Sequence, residues 1–210
     1  FGFRLERVAI GNFVYMDNDL NGTYDLPVDM PIPGVDVWLY PAGANYGVDP
    51  ALLTTTTNGD GYYYFDNLAP GQYVVYIPGS NFNAGNPLEN KLSTPGADNG
   101  QVIDNNDNGQ DTPVNGGIVS NVINLQPGSQ PVGEDQTDYP GTLPDANVNA
   151  TIDFSFYIPA KVGNFVWLDL NGNGIQDTPD EPGLPNVVVI IEGTDGLGNP
   201  VNQTTATDAN

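Results

Sequence analysis

One stretch of this chain occurs twice. Ile10-Gly-Asn-Phe-Val-Tyr-Met-Asp17 returns as Val162-Gly-Asn-Phe-Val-Trp-Leu-Asp169, and the register holds at an offset of 152 without a gap from residue 10 to residue 39. Twelve of those 30 positions are identical, among them Asp17/Asp169, Asn21/Asn173, Gly22/Gly174, Asp25/Asp177 and Pro33/Pro185. A tandem repeat restricts the fold severely, because the same pattern must make the same unit each time it occurs. Thr54–Asp60 aligns further on with Thr204–Asn210, and Phe1-Gly-Phe3 echoes Phe154-Ser-Phe156. The spacing predicts a closing strand of a preceding repeat plus linker at 1–9 and a complete repeat at 10–158 with a long insert at 78–117. A linker at 159–161 and the opening part of the next repeat at 162–210 follow.

Alternation and β-branched or aromatic content place strands at Ile10–Met16, Val35–Tyr40, Leu52–Thr57, Tyr62–Phe65, Gln72–Ile77, Ile118–Leu125 and Val148–Ile158. Asn58-Gly-Asp-Gly61 and Pro70-Gly71 read as turns between them. Gly and Pro contribute 26 and 19 residues, and no stretch has helical composition. The class is all-β, built as tandem immunoglobulin-like β-sandwich repeats with long polar loops. No run of about 18 apolar residues exists that could span a membrane as a helix.

Charge excludes several functions. Four Lys and Arg face 26 acids, a net charge of −22, so the chain repels nucleic acid and anionic membrane. The absence of His and Cys excludes imidazole and thiolate sites, thiol nucleophiles and disulfides. Of the acids, 21 are Asp, the residue of turns and ion-holding loops rather than of disordered acidic tails.

The placement of those aspartates points to Ca²⁺. Asp17-Asn-Asp19-Leu-Asn21-Gly22-Thr23-Tyr-Asp25 fits the D-x-[DN]-x-[DN]-G loop, with side-chain oxygens at positions 1, 3, 5 and 9 and a carbonyl at position 7. Asp29 follows at position 13. The copy supplies Asp169, Asn171, Asn173, Asp177 and Glu181 in the same register. Oxygen donors without nitrogen or sulfur favour calcium over transition metals. A second loop within the insert, Asp104, Asn106, Asn108 and Asp111, has the same grammar, with Asp98 just upstream. Asp145, Asn147 and Asn149 with Asp153 match the spacing but lack the glycine and run into a strand, so they read as structural. Asn58 and Asp60 read as hairpin chemistry, and Glu134, Asp135 and Asp138 as a solvated loop.

These same motifs resemble a known family. Gly-Asn-x-Val-[Trp/Tyr]-x-Asp, the Asn-Gly-x-x-Asp loop, Pro-x-Val-x-Val, Thr-x4-Gly-Tyr-x-Phe and Leu68-x-Pro-Gly71-x-Tyr73 are similar to the SdrD B-like repeat. This is the calcium-binding B-domain of serine-aspartate repeat surface proteins, a relative of the Cna-B modules. The resemblance implies β-sandwiches joined end to end in an extracellular stalk on a bacterial cell surface, stiffened by Ca²⁺. Some Cna-B relatives carry Lys–Asn isopeptide bonds. Lys161 aligns with Ala9 and Lys91 falls in a loop, so none is expected here.

The expected function is therefore structural, not enzymatic: a calcium-rigidified block of a surface stalk, adhesin or filament. Its expected partners are neighbouring repeats or subunits of the same kind, with strand donation one way of joining them. A ligand- or carbohydrate-binding adhesin module is the alternative, since sandwich loops present ligands. A glycoside-active enzyme is disfavoured because the acids are accounted for by loop chemistry.

Overall fold

A computed structural model describes residues 6–96, 104–136, 138–196 and 198–208. The expected closing strand Phe1–Phe3 and the upstream Asp98 lie outside the described residues. The chain divides into two compact units, Phe1–Pro159 and Ala160–Asn210.

The first unit is a two-sheet sandwich, immunoglobulin-like in class. Among the described residues no α-helix occurs, only 3-10 turns at Gly79–Phe82 and Asp145–Asn147. Its strands are β1 (Val8–Met16), β2 (Met30–Pro31), β3 (Asp36–Pro41), β4 (Leu53–Thr56), β5 (Tyr62–Leu68), β6 (Gly71–Ile77), β7 (Leu92–Ser93), β8 (Ile118–Val119), β9 (Ile123–Leu125), β10 (Val148–Ala150) and β11 (Phe154–Tyr157). One sheet runs β10-β1-β11-β7, with β2 and β5 also paired to β1. The other runs β4-β3-β6-β8, with β9 also on β6. Val14, Phe65, Phe154 and Phe156 from the first sheet meet Val37, Leu39, Val75 and Ile77 from the second in a single core.

Strand β1 organises this unit. Its first half pairs in parallel with β10, Ile10 opposite Asn149, and its second half in parallel with β11, Tyr15 opposite Ser155. All nine of its residues are buried, which its apolar and aromatic composition permits. Phe13 and Tyr15, expected on one face, stack at 5.7 Å, and Tyr24 packs edge-on against both.

Two stretches expected as single strands are each broken in two, and side chains explain the breaks. In Ile118–Leu125, Ser120 Oγ accepts the Val75 amide at 3.0 Å, a bond that would otherwise belong to the backbone ladder. In Val148–Ile158, Asn149 Oδ1 accepts the Thr151 amide, Asn108 Oδ1 the Asp153 amide and Asp107 Oδ1 the Ser155 amide. Short polar side chains compete with ladder bonds in this way. The insert at 78–117 is tied down partly by its own residues. Leu88 is fully buried, Phe82 packs on Phe156, and Asn81 clamps both polar groups of the Asp36 backbone.

The second unit repeats the bonding frame of the first. The Thr57 hydroxyl accepts the Val35 amide and donates to the Ile32 carbonyl; the Thr207 hydroxyl does the same with Val187 and Leu184. The Ile32 amide reaches the Val14 carbonyl, and the Leu184 amide reaches that of Val166. Strands β12 (Val188–Thr194) and β13 (Pro200–Ala206) form the second unit's hairpin, antiparallel with Val188 opposite Ala206.

Three substitutions test this frame. Thr57→Val leaves a buried amide and a buried carbonyl without partners, and is expected to cost about 1–3 kcal/mol of stability. At Gly11 an added Cβ would sit 2.3 Å from the Tyr63 carbonyl oxygen, whereas at the equivalent Gly163 nothing lies within 4 Å. Gly11→Ala should therefore destabilise by about 1–3 kcal/mol by overpacking. Gly163→Ala should be close to neutral. Thermal melting of both variants checks the contrast, and equal effects would contradict it.

Candidate metal centre

The end of β1 delivers Asp17 into a loop that folds back on its own carboxylates. Asp17 Oδ2 accepts the Gly22 amide at 2.8 Å, and Asn21 Oδ1 accepts the Thr23 amide at 2.7 Å. Gly22 has φ of +73°, the left-handed conformation that glycine supplies at the sharp turn. Asp29 closes the loop from the other side, accepting the Asn18 amide at 2.8 Å and the Asp25 amide at 3.1 Å. One ligand atom each from Asp17, Asp19 and Asp29 lies within 4.8 Å of the others. Asn21 joins them, its side-chain amide donating to Asp19 at 3.1 Å and to Asp25 at 3.3 Å.

The copy builds its loop with equivalent bonds. Asp169 Oδ2 accepts the Gly174 amide, and Asn173 Oδ1 accepts that of Ile175. Glu181 accepts the Leu170 and Asp177 amides, as Asp29 accepts those of Asn18 and Asp25. Asn171 and Asn173 both donate to Asp177. A one-carbon-longer acid at the closing position thus makes the same two bonds.

The surroundings of the two loops differ. Asp17 and Asp29 are each 1 % exposed, and burial pushes the Asp17 carboxyl above the usual carboxylate range despite the opposing Gly22 and Leu20 amides. At Asp169 the Gly174 amide dominates instead and holds the carboxyl below that range. The two loops share a bonding pattern and differ at the opening aspartate, buried at Asp17 and exposed at Asp169, while the closing acids Asp29 and Glu181 are both buried.

The insert loop behaves differently from the first. Asp104 accepts from the Asn12 side chain at 3.0 Å and from the Asp135 amide at 3.2 Å. Asn106 forms a backbone bridge with Thr23, which brings the two acidic segments side by side. Asn108 is committed to the Asp153 backbone and Asp111 to the Gly96 amide. The side chains of Asp104, Asn108 and Asp111 therefore face separate partners. Asn58 accepts the Asp60 and Tyr62 amides, as hairpin chemistry requires, and Asn147 caps Gly128.

Two acids outside the expected ligand sets are buried as deeply as Asp17 and Asp29. Asp107 is 1 % exposed; its Oδ1 accepts the Gly109 and Ser155 amides, and burial pushes its carboxyl up to about 8. Asp153 is fully buried and raised well above the carboxylate range by burial, with the Asp104 charge adding to it. One sequence signal could have exposed Asp153: it is a lone acid inside the run Ile152-Asp-Phe-Ser-Phe156.

The donor set suits a hard divalent cation. Three carboxylates converge in the first loop, two of them are buried, and no cationic side chain described nearby answers them. Arg7 donates to the Asn67 carbonyl, Lys91 to that of Pro87, and Lys161 is exposed.

Fold and loop define a class: an all-β sandwich repeat whose strand β1 opens into an acidic, asparagine-rich loop. The sequence model of the SdrD B-like domain matches residues 8–101 and 160–210, and the chain belongs to that family. It is 32 % identical over its whole length to serine-aspartate repeat-containing protein F of Staphylococcus epidermidis, covering 10 % of that protein. It is 30 % identical over 99 % of its length to serine-aspartate repeat-containing protein D of Staphylococcus aureus strain Newman, covering 12 %. Colossin-B of Dictyostelium discoideum is 31 % identical over 87 % of the chain, which covers 5 % of it. The chain thus spans only a small fraction of the length of these relatives.

Asp29→Asn removes a carboxylate from the first loop while keeping its shape. Any calcium held there should lose more affinity than the roughly 10–100-fold typical of losing an outer-shell partner. Glu181→Gln should do the same to the second loop without affecting the first. Calorimetric ion counts on both variants check this, and unchanged stoichiometry in either contradicts the assignment of that loop.

Proposed function

We propose that this chain is a calcium-rigidified structural repeat, a building block of an extracellular stalk, adhesin or filament on a cell surface. The observation that carries the reading is the convergence of Asp17, Asp19 and Asp29 within 4.8 Å, in a loop whose bonding pattern recurs 152 residues later. A repeated site fits a repeated mechanical duty better than a catalytic one. The cell-surface setting is drawn from the serine-aspartate repeat relatives. The partners are neighbouring repeats of the same kind.

In this reading Asp17, Asp19, Asn21, Asp25 and Asp29 hold one Ca²⁺ with a carbonyl from Thr23, and Asp169, Asn171, Asn173, Asp177 and Glu181 hold another. Residues 10–161 carry 16 Asp and 2 Glu against 2 Lys, so like charges oppose compaction. An ion that binds only the folded loop turns binding free energy into folding free energy. With free calcium about 100-fold above the dissociation constant, one ion adds about 2.7 kcal/mol. Mg²⁺ is a poor substitute because it demands octahedral geometry and gives up water reluctantly.

Small-angle scattering and thermal melting of a multi-repeat chain test the reading. Chelation should shorten the particle and lower its melting temperature, and calcium should restore both where magnesium does not. Unchanged dimensions and melting would reduce the loops to ordinary turns.

A further inference from the structure

On the outer face of the first sheet stands a row of tyrosines that the sandwich core does not use. Strand β5 alternates: Tyr63 and Phe65 enter the core, while Tyr62 and Tyr64 point the other way and are half-buried. Tyr62 lies opposite Phe13 with ring centroids 4.8 Å apart, and Tyr24 adds a third ring 4.6 Å from Phe13. Tyr64 lies opposite Gly11, where the missing side chain makes room for its ring; an added Cβ would sit 2.5 Å from it. Tyr139 extends the row 5.3 Å beyond Tyr64, held by a 2.7 Å bond from its hydroxyl to Asp66. Among the described residues, the hydroxyls of Tyr24 and Tyr62 have no hydrogen-bond partner.

The rim of this row is acidic. Burial, then the Asp29 and Asp60 charges, hold the Tyr24 hydroxyl above the usual tyrosine range. Burial, then the Asp135 and Asp138 charges, push Tyr62 up to about 12. Asp66 stands at the Tyr139 end. The described cationic side chains of this unit, Arg7 and Lys91, are engaged with the Asn67 and Pro87 carbonyls. The face of an aromatic ring attracts a cation held within about 6 Å, so rings rimmed by carboxylates favour positive charge on two counts. The same rim repels nucleic acid, anionic lipid and a second copy of a chain whose net charge is −22. A neutral saccharide would use the rings and hydroxyls and leave the carboxylates without a part.

We propose that this tyrosine row is a docking surface for an extended, arginine-bearing segment of a partner protein. Guanidinium groups stack on Tyr62 and Tyr64 and pair with Asp60, Asp66 and Asp138 at the rim. Arginine suits the place better than lysine because its planar group stacks on a ring while its fork of donors meets a carboxylate. Tyr62 and Tyr64 are two residues apart on one strand, about 7 Å, which is also the spacing of alternate side chains in an extended peptide. Asp60, Asp66 and Asp138 lie outside the Asp17, Asp19 and Asp29 group, so the surface stands whether or not that loop holds an ion. Gln176 occupies the position equivalent to Tyr24, so the row is not carried over whole into the second repeat. The inference therefore adds a partner-binding duty to the first repeat that the shared structural duty does not include.

Fluorescence anisotropy of the full 210-residue chain, in calcium at physiological ionic strength, tests this with a labelled peptide of alternating arginine and serine. A matched peptide with citrulline in place of arginine keeps the side-chain shape without the charge. The arginine peptide should bind and the citrulline peptide should not. Tyr62→Leu keeps the net charge and the apolar bulk, and should weaken binding about 2- to 30-fold through the lost ring face. Asp60→Asn combined with Asp138→Asn should weaken it as well. Asp180→Asn combined with Asp195→Asn removes the same charge from exposed positions of the second unit and should change it little. Thermal melting shows which variants are folded. No binding of the arginine peptide, equal binding of the citrulline peptide, or wild-type affinity in folded Tyr62→Leu overturns the proposal. So does an equal loss from the two charge pairs, which would reduce the binding to bulk attraction. Should Tyr62→Leu fail to fold, the contrast between the two charge pairs decides the matter alone.

Discussion

Carboxylates buried against the strands, with no cationic side chain beside them among the described residues, are the constraint on which this fold turns. Asp17 continues β1, Asp153 sits at the break before β11, and Asp107 is pressed against Ser155 on the same strand; all three are at most 1 % exposed. Tyr15 lies among them, and burial together with the charges of Asp107 and Asp153 drives its hydroxyl well above the usual tyrosine range. An isolated charge in such a place is strongly unfavourable. Backbone amides answer part of it, as Gly22 does for Asp17 and Ser155 for Asp107. What the amides leave over defines where ions are expected to enter.

This constraint also explains the local irregularities. A regular strand from Val148 to Ile158 would use its own amides in the ladder, but Asn108, Asp107 and Asn149 take three of them. The break they create places Asp153 under the insert instead of at an open surface. The bridge between Thr23 and Asn106 then sets the insert beside the first loop. Acidic loops that lie far apart in sequence become one acidic region of the sandwich.

Much of this was legible in the chain. The repeat, the all-β class and most strand positions follow from alternation and turn residues, because local pattern and tertiary fold agree there. The first loop was legible for the same reason: its Asp and Asn spacing is a local property, and the H-bond frame from Asp17 to Asp29 closes within 13 residues. The insert was not, because its partners are distant. Asp104 meets Asn12, and Asp107 meets Ser155, across separations of 92 and 48 residues. No local motif encodes those contacts. Asp153 was set aside because its spacing lacked a glycine, while its meaning comes from burial, which spacing does not report.

The central claim is that folding of this chain takes up cations. Denaturant unfolding of the full chain at a series of free calcium concentrations tests it most directly, since the slope of stability against the logarithm of calcium counts the ions bound only in the folded state. The account predicts a slope that corresponds to about two or more ions and falls when Asp17 is replaced. A stability independent of calcium across the millimolar range would contradict it.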